Sequence, residues 1–149
     1  MKKVISILIA IVMGSCTMES YCWYSDYMKG VNNYSCNMEY NWDVKLPTNY
    51  TNSFDYNDKS SHGEGVRYHI LEYNNEVELN ECLAWAQNVN PTFIDLVNST
   101  IRSRNIDEKY TLDRDCNYKH FRKIKYDGST LHIFFNETLN TIYILEDIF

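Results

Sequence analysis

The sequence predicts an α+β fold, with an antiparallel sheet of about five to six strands packed on two consecutive helices as a two-layer sandwich. Three observations support this prediction. Apolar or alternating segments lie toward both ends of the domain, segments with helical spacing lie between them, and turn signals separate them. Helices within an antiparallel series are typical of the α+β class, and the predicted order is β-β-β-α-α-β-β-β.

Three strands are predicted before the helices. Residues 42–46 alternate before a proline, residues 50–56 place their aromatic side chains on one parity, and residues 66–73 are apolar on both parities. These patterns are typical of an edge strand, a half-buried strand and a central strand. Between the last two lies His62-Gly63-Glu64-Gly65, which we interpret as a tight turn whose glycines supply unusual backbone dihedrals.

Two apolar stripes with helical spacing predict the helices. The stripes consist of Leu79, Cys82, Leu83, Ala86 and Val89, and of Phe93, Leu96, Val97 and Ile101. Between them, Asn90 is expected to cap the second helix and Pro91 to occupy its first position. Both stripes are expected to face the sheet, because it is the available apolar partner.

Three strands are predicted after the helices, over residues 118–126, 131–135 and 141–148. Asp127-Gly128 predicts a two-residue type I′ hairpin between the first two. That closure pairs Phe121 with Phe134. The resulting candidate binding face consists of Phe121, Lys123, Lys125, His132 and Phe134. Such a basic and aromatic face suits an acidic partner protein or an anionic headgroup; alternatively, it is a solvated face whose lysines discourage edge-to-edge aggregation.

The first residues predict export. Two lysines precede a short apolar run over residues 4–13, and small residues follow it, as in a signal peptide. Met13-Gly14-Ser15-Cys16 resembles a lipobox, so a lipid on Cys16 is expected to attach the protein to the cell membrane. Ordinary cleavage with secretion and a short uncleaved anchor are the alternatives. The predicted organisation is a signal peptide over 1–15, a tether or irregular segment over 16–41 and one domain over 42–149.

Charge and cysteine content limit the function further. Without the signal peptide, 12 basic groups face 20 acidic ones, a net charge of −8 that disfavours nucleic acid as a partner. Four cysteines besides Cys16 are an even number in an oxidising compartment, and no C-x-x-C spacing occurs. We therefore expect structural disulfides among Cys22, Cys36, Cys82 and Cys116. Three pairings exist, and Cys22–Cys36 with Cys82–Cys116 is favoured.

No catalytic motif stands out in the chain. It contains no H-E-x-x-H, no G-x-S-x-G and no glycine-rich phosphate loop, so no catalytic residue, metal ligand or cofactor is predicted. The favoured function is a non-enzymatic protein-binding module at the cell envelope, similar to an immunity protein or an inhibitor. One alternative is a small secreted metal-dependent hydrolase using His62, Glu64 and His69. The other is a purely structural envelope component.

Several strings together resemble one group of proteins. They are Asp43-Val44-Lys45-Leu46-Pro47, His62-Gly63-Glu64-Gly65 and the segment from Gly128 to Phe149. They resemble small uncharacterised proteins and lipoproteins of Gram-positive bacteria, which have an H-G-D-G-like turn and a C-terminal aliphatic-Tyr strand like residues 141–147. Glu64 stands where that group has Asp. The resemblance implies a fold and an exported location, and it brings no known activity.

Overall fold

The described part of the chain forms one sheet with helices on both sides. The computed structural model describes residues 34–58, 60, 63–74, 76–87 and 89–149. Its elements are α1 (Tyr34–Trp42), β1 (Tyr50–Asn57), β2 (Gly65–Tyr73), α2 (Glu76–Cys82), α3 (Pro91–Ser103), a 3₁₀ turn (Glu108–Tyr110), β3 (Lys119–Ile124), β4 (Thr130–Asn136) and β5 (Thr141–Ile148). Among these residues, none of the helices is long and apolar enough to cross a bilayer.

The sheet has five antiparallel strands in the order β1-β2-β5-β4-β3. A first hairpin joins β1 to β2. The chain then crosses to the opposite edge and returns through β3 and β4, which leaves β5 beside β2. This arrangement confirms the predicted α+β class.

The two predicted helices pack on opposite faces of the sheet, so their predicted packing together on one side is not confirmed. Leu79 of α2 packs with α1 on one face, which we call the α1 face. Ile94, Val97 and Ile101 of α3 pack on the other, the α3 face. Between the helices, Ala86 exchanges two backbone hydrogen bonds with His120 on edge strand β3. The chain therefore passes around this edge, and apolar periodicity does not reveal such a passage.

The segment over residues 42–46 is not a strand. Trp42 ends α1, and Asp43 leaves the helix with a φ of 50°. The amide of Val44 bonds back to the carbonyl of Met38 at 3.3 Å. Val44 and Leu46 are buried on the α1 face without strand pairing. Tyr34, Met38 and Trp42 of α1 are buried in the same core cluster as Val44 and Leu46.

Local signals locate the other elements well. Asn90 caps α3 by accepting a hydrogen bond from the amide of Thr92 at 3.0 Å, and Pro91 begins the helix as predicted. α2 is shorter than its stripe because it ends at Cys82. The predicted glycine turn is present, since Gly63 and Gly65 have φ values of 92° and 135°.

Candidate functional site

The hairpin between β3 and β4 has a three-residue loop instead of the predicted two-residue loop. Lys125 donates its amide to the carbonyl of Ser129 at 2.9 Å, and Gly128 donates to the carbonyl of Lys125 at 3.1 Å. Only Gly128 has a positive φ in this loop, whereas a type I′ turn requires two such residues. The side chain of Asp127 instead accepts a bond from the amide of Ser129 at 2.9 Å.

The longer loop splits the predicted binding face between the two sides of the sheet. Phe121 pairs with Ile133 instead of Phe134. A shift of one residue turns the partner strand over, because side chains alternate along a strand. Phe121, Lys123 and Lys125 therefore belong to the α1 face, whereas His132 and Phe134 belong to the α3 face.

Two lysines of that predicted face contact α1. Lys123 Nζ donates to the carbonyl of Trp42 at 2.6 Å and lies 3.6 Å from the Asp43 carboxylate. Lys125 Nζ lies 4.4 Å from the centroid of the Trp42 ring. A cation at the C-terminal end of a helix is favourable. These lysines therefore secure α1, a role that residue type alone does not predict.

A buried carboxylate, Glu146 of β5, lies beneath α1. Its oxygens accept hydrogen bonds from Tyr34 Oη and from Trp42 Nε1, each at 2.5 Å. The guanidinium of Arg67 lies 3.5 Å from Oε2. Only 1% of Glu146 is exposed. Burying a carboxylate is unfavourable unless it is paired and hydrogen-bonded, so these contacts determine how α1 attaches to the sheet.

His69 lies beside this carboxylate and is also buried. Its Nε2 lies 4.0 Å from Glu146 Oε1, and its Nδ1 lies 3.0 Å from Asp55 Oδ1. Despite this proximity, neither ring nitrogen has hydrogen-bond geometry to a partner among the described residues. The ring packs on Tyr34, with centroids 3.8 Å apart. Burial, and secondarily the charge of Arg67, lowers the pKa of His69 to about 4, so it is neutral at pH 7.

The structure does not bring Glu64 and His69 together as metal ligands. Glu64 is exposed just before β2, whereas His69 is buried within it. Five residues of extended chain span about 17 Å. His62, the third predicted ligand, lies outside the described residues. Within the described ranges, no group of three or more His, Cys, Asp or Glu side chains is arranged to hold a metal ion.

A pair of histidines is buried on the α3 face. His120 Nε2 lies 3.1 Å from His132 Nδ1, within hydrogen-bond distance. Phe93 of α3 lies against both rings, with centroids 4.9 and 5.3 Å away. Burial lowers the pKa of each histidine to about 4; Arg122 adds to the effect on both, and His120 adds to that on His132. This pair is neutral at pH 7 and packs as part of the core.

The cysteines differ from their predicted pairing. Cys82 packs on the α1 face and Cys116 on the α3 face, and both are free thiols. The predicted Cys82–Cys116 bridge is therefore wrong, because the sheet separates the two side chains. Cys36 takes part in a disulfide bond. Its predicted partner Cys22 and the predicted lipid site Cys16 lie outside the described residues, so both assignments stay predictions.

Apolar side chains are exposed at the end of the sheet formed by the β3–β4 loop. We call Ile124, Tyr126 and Phe149 the loop patch. Ile124 is 55% exposed, Tyr126 is fully exposed and Phe149 is 66% exposed. Phe149 donates its amide to Ser129 Oγ at 3.1 Å, which places it beside the loop. The sequence prediction missed this patch, although a tyrosine directly before Asp-Gly was a signal for an exposed aromatic residue.

The prediction also missed Glu146, which a pattern in the sequence marks. It follows the apolar run over residues 142–145, and it has the same parity as Ile142 and Ile144, whereas the other acidic residue of the strand, Asp147, has the opposite parity. No protein-family model, no curated protein and no solved structure matches the chain.

Proposed function

We propose that this protein is an exported, lipid-anchored, non-enzymatic module that binds another protein at the cell envelope. The observation that carries the proposal is the loop patch. Its exposed aromatic and aliphatic side chains are the kinds that anchor protein interfaces. An immunity-like or inhibitor-like role fits a small domain that occupies part of a partner's surface.

The distribution of titratable groups supports binding over catalysis. His69, His120, His132 and Glu146 are each at most 6% exposed. Catalytic groups must reach a substrate, and each of these side chains is instead covered by a helix or by aromatic rings. Contacts to Tyr34, Trp42 and Phe93 account for their packing without a ligand.

The test is partner capture from native envelope extracts with the full-length protein as bait. Tyr126→Ser together with Ile124→Ser should lower capture of a specific partner at least about tenfold, as expected for central interface residues. Leu139→Ser is the matched control, because Leu139 is 60% exposed in the turn between β4 and β5, at the opposite end of β4 from the β3–β4 loop. Equal loss in both variants, or no specific partner, would overturn the proposal.

Export and anchoring have a separate test. Mass spectrometry of the mature N-terminus should find an acylated Cys16. A protein that retains Met1, or a Cys16 without acyl mass, would overturn the lipid anchor without affecting the binding proposal.

A further inference from the structure

The outer edge of β3 is open beyond the contact with Ala86. His120 directs its N–H and C=O outward, where both bond to Ala86 at 3.0 and 2.8 Å. Lys125 directs its amide inward to Ser129. Because orientation alternates along a strand, the backbone groups of Arg122 and Ile124 also face outward. Among the described residues, no strand or bridge pairs with them on that side.

This open edge is basic although the chain is acidic. Residues 119–125 contain three lysines, one arginine and one histidine but no carboxylate, in a protein of net charge −6. Lys119 is paired with Glu137 at 2.5 Å. Arg122 is exposed and lies over the Phe93 ring at 5.3 Å, without an ion-pair partner among the described residues. Its charge is therefore available to a ligand at the edge.

We propose that the outer edge of β3 takes up an extended, acidic segment of the partner protein as an added strand. The backbone groups of Arg122 and Ile124 supply the hydrogen bonds, and the guanidinium of Arg122 selects a carboxylate. The exposed side chains of Ile124 and Tyr126 add apolar contacts at the end of the segment. This inference rests on the proposed function and specifies how the partner binds.

Charge also excludes a second copy of this chain as the occupant. Two β3 edges paired antiparallel would place Arg122 opposite Arg122, Lys123 opposite Lys123 or Lys123 opposite Lys125, depending on the register, and each such pair is destabilising. The existing bridge at His120 shows that the edge accepts an antiparallel neighbour. Only the two positions beyond it remain open, so the added strand is short.

The opposite edge of the sheet is less suited to such an addition. β1 has a bulge between Asn52 and Phe54, and its exposed positions are polar or acidic. Bulges interrupt the regular spacing of backbone groups and protect sheet edges from pairing. Of the two edges of the sheet, β3 is therefore the one suited to an added strand.

The test is an NMR titration of the full chain with two capped peptides, one alternating Glu with Val and the other alternating Lys with Val. The Glu peptide should shift the amides of Arg122 and Ile124 saturably, and the Lys peptide should not. Ile124→Pro should abolish the shifts, because it removes an outward donor, whereas Ile124→Thr should retain them. Arg122→Glu keeps every backbone donor. It should weaken the affinity for the Glu peptide at least about tenfold and raise the affinity for the Lys peptide.

Absence of saturable shifts, or equal binding of both peptides, would overturn strand addition; the basic residues would then serve to guard the edge against aggregation. These results are separable from those of the proposed function. If Tyr126→Ser with Ile124→Ser lowers partner capture while the Glu peptide fails to bind, the partner contacts side chains only. If both tests fail, the binding proposal falls as well.

Discussion

The two faces of the sheet bury polar groups in opposite ways. On the α1 face, the carboxylate of Glu146 binds Tyr34 and Trp42 of α1 and lies near Arg67. On the α3 face, His120 and His132 form a neutral pair against Phe93. The first arrangement depends on a charge with fixed partners, whereas the second depends on both groups staying uncharged.

Because of this difference, the stability of the protein should respond to substitution mainly through one face and to acid mainly through the other. Removing one partner from a buried charge leaves the others unsatisfied, so the α1 face should respond most to substitution. Protonating a neutral buried imidazole places a new charge in the core, and two of the three buried histidines lie on the α3 face, so this face should respond most to acid.

The largest effect is expected for Glu146→Gln. Both Tyr34 Oη and Trp42 Nε1 donate hydrogen bonds to Glu146, and the NH₂ group of glutamine cannot accept the bond from whichever of them it faces. The substitution also leaves Arg67 without its carboxylate. We expect a loss of about 4 kcal/mol in the free energy of unfolding, measured by urea denaturation. The control is Glu72→Gln at an exposed position of β2, which should change the free energy of unfolding by less than about 0.5 kcal/mol. Similar small losses in both variants would contradict the structural role of Glu146.

Counted per side chain, acid should produce the next largest effect. The folded pKa values of His69, His120 and His132 are about 4, below their ordinary value of 6.5. Between these values the unfolded state binds more protons, so stability is complete above pH 6.5 and falls as the pH drops toward 4. We expect a loss of about 2 kcal/mol per histidine between pH 7 and pH 5, and so about 5 kcal/mol in total, from urea unfolding at each pH.

The double variant His120→Leu with His132→Leu assigns this acid sensitivity to a face. It removes two of the three buried histidines and should reduce the pH dependence to about one third, whatever its stability at pH 7. An unchanged slope would show that the α3 face is not the source of the acid response.

The smallest effect is expected for Cys116→Ser under oxidising conditions. Since Cys82 and Cys116 lie on opposite faces, the substitution breaks no bridge and should cost less than about 1 kcal/mol. Loss of a disulfide would cost about 3 kcal/mol.

Burial raises the pKa of Cys82 to about 11 from 9, so at pH 8 it should be alkylated about 100-fold more slowly in the folded protein than in urea. A Cys82–Cys116 linkage in peptide mapping would contradict the separation of the faces.

Local patterns predicted the elements better than their arrangement. The N-cap at Asn90 and the glycine turn before β2 depend on neighbouring residues only, and both are present. The register between β3 and β4 depends on one additional loop residue, which the Asp-Gly pair does not reveal. That single residue moved His132 and Phe134 to the other face and divided the predicted site.

By itself, the sequence determined the α+β class, because apolar periodicity and turn residues act over a few positions. Only the tertiary structure decided which face each helix covers and which side chains surround Glu146. Tyr34 and Trp42 lie more than 100 positions from that carboxylate along the chain. Their contacts arise from packing across the sheet, and no short-range pattern encodes them.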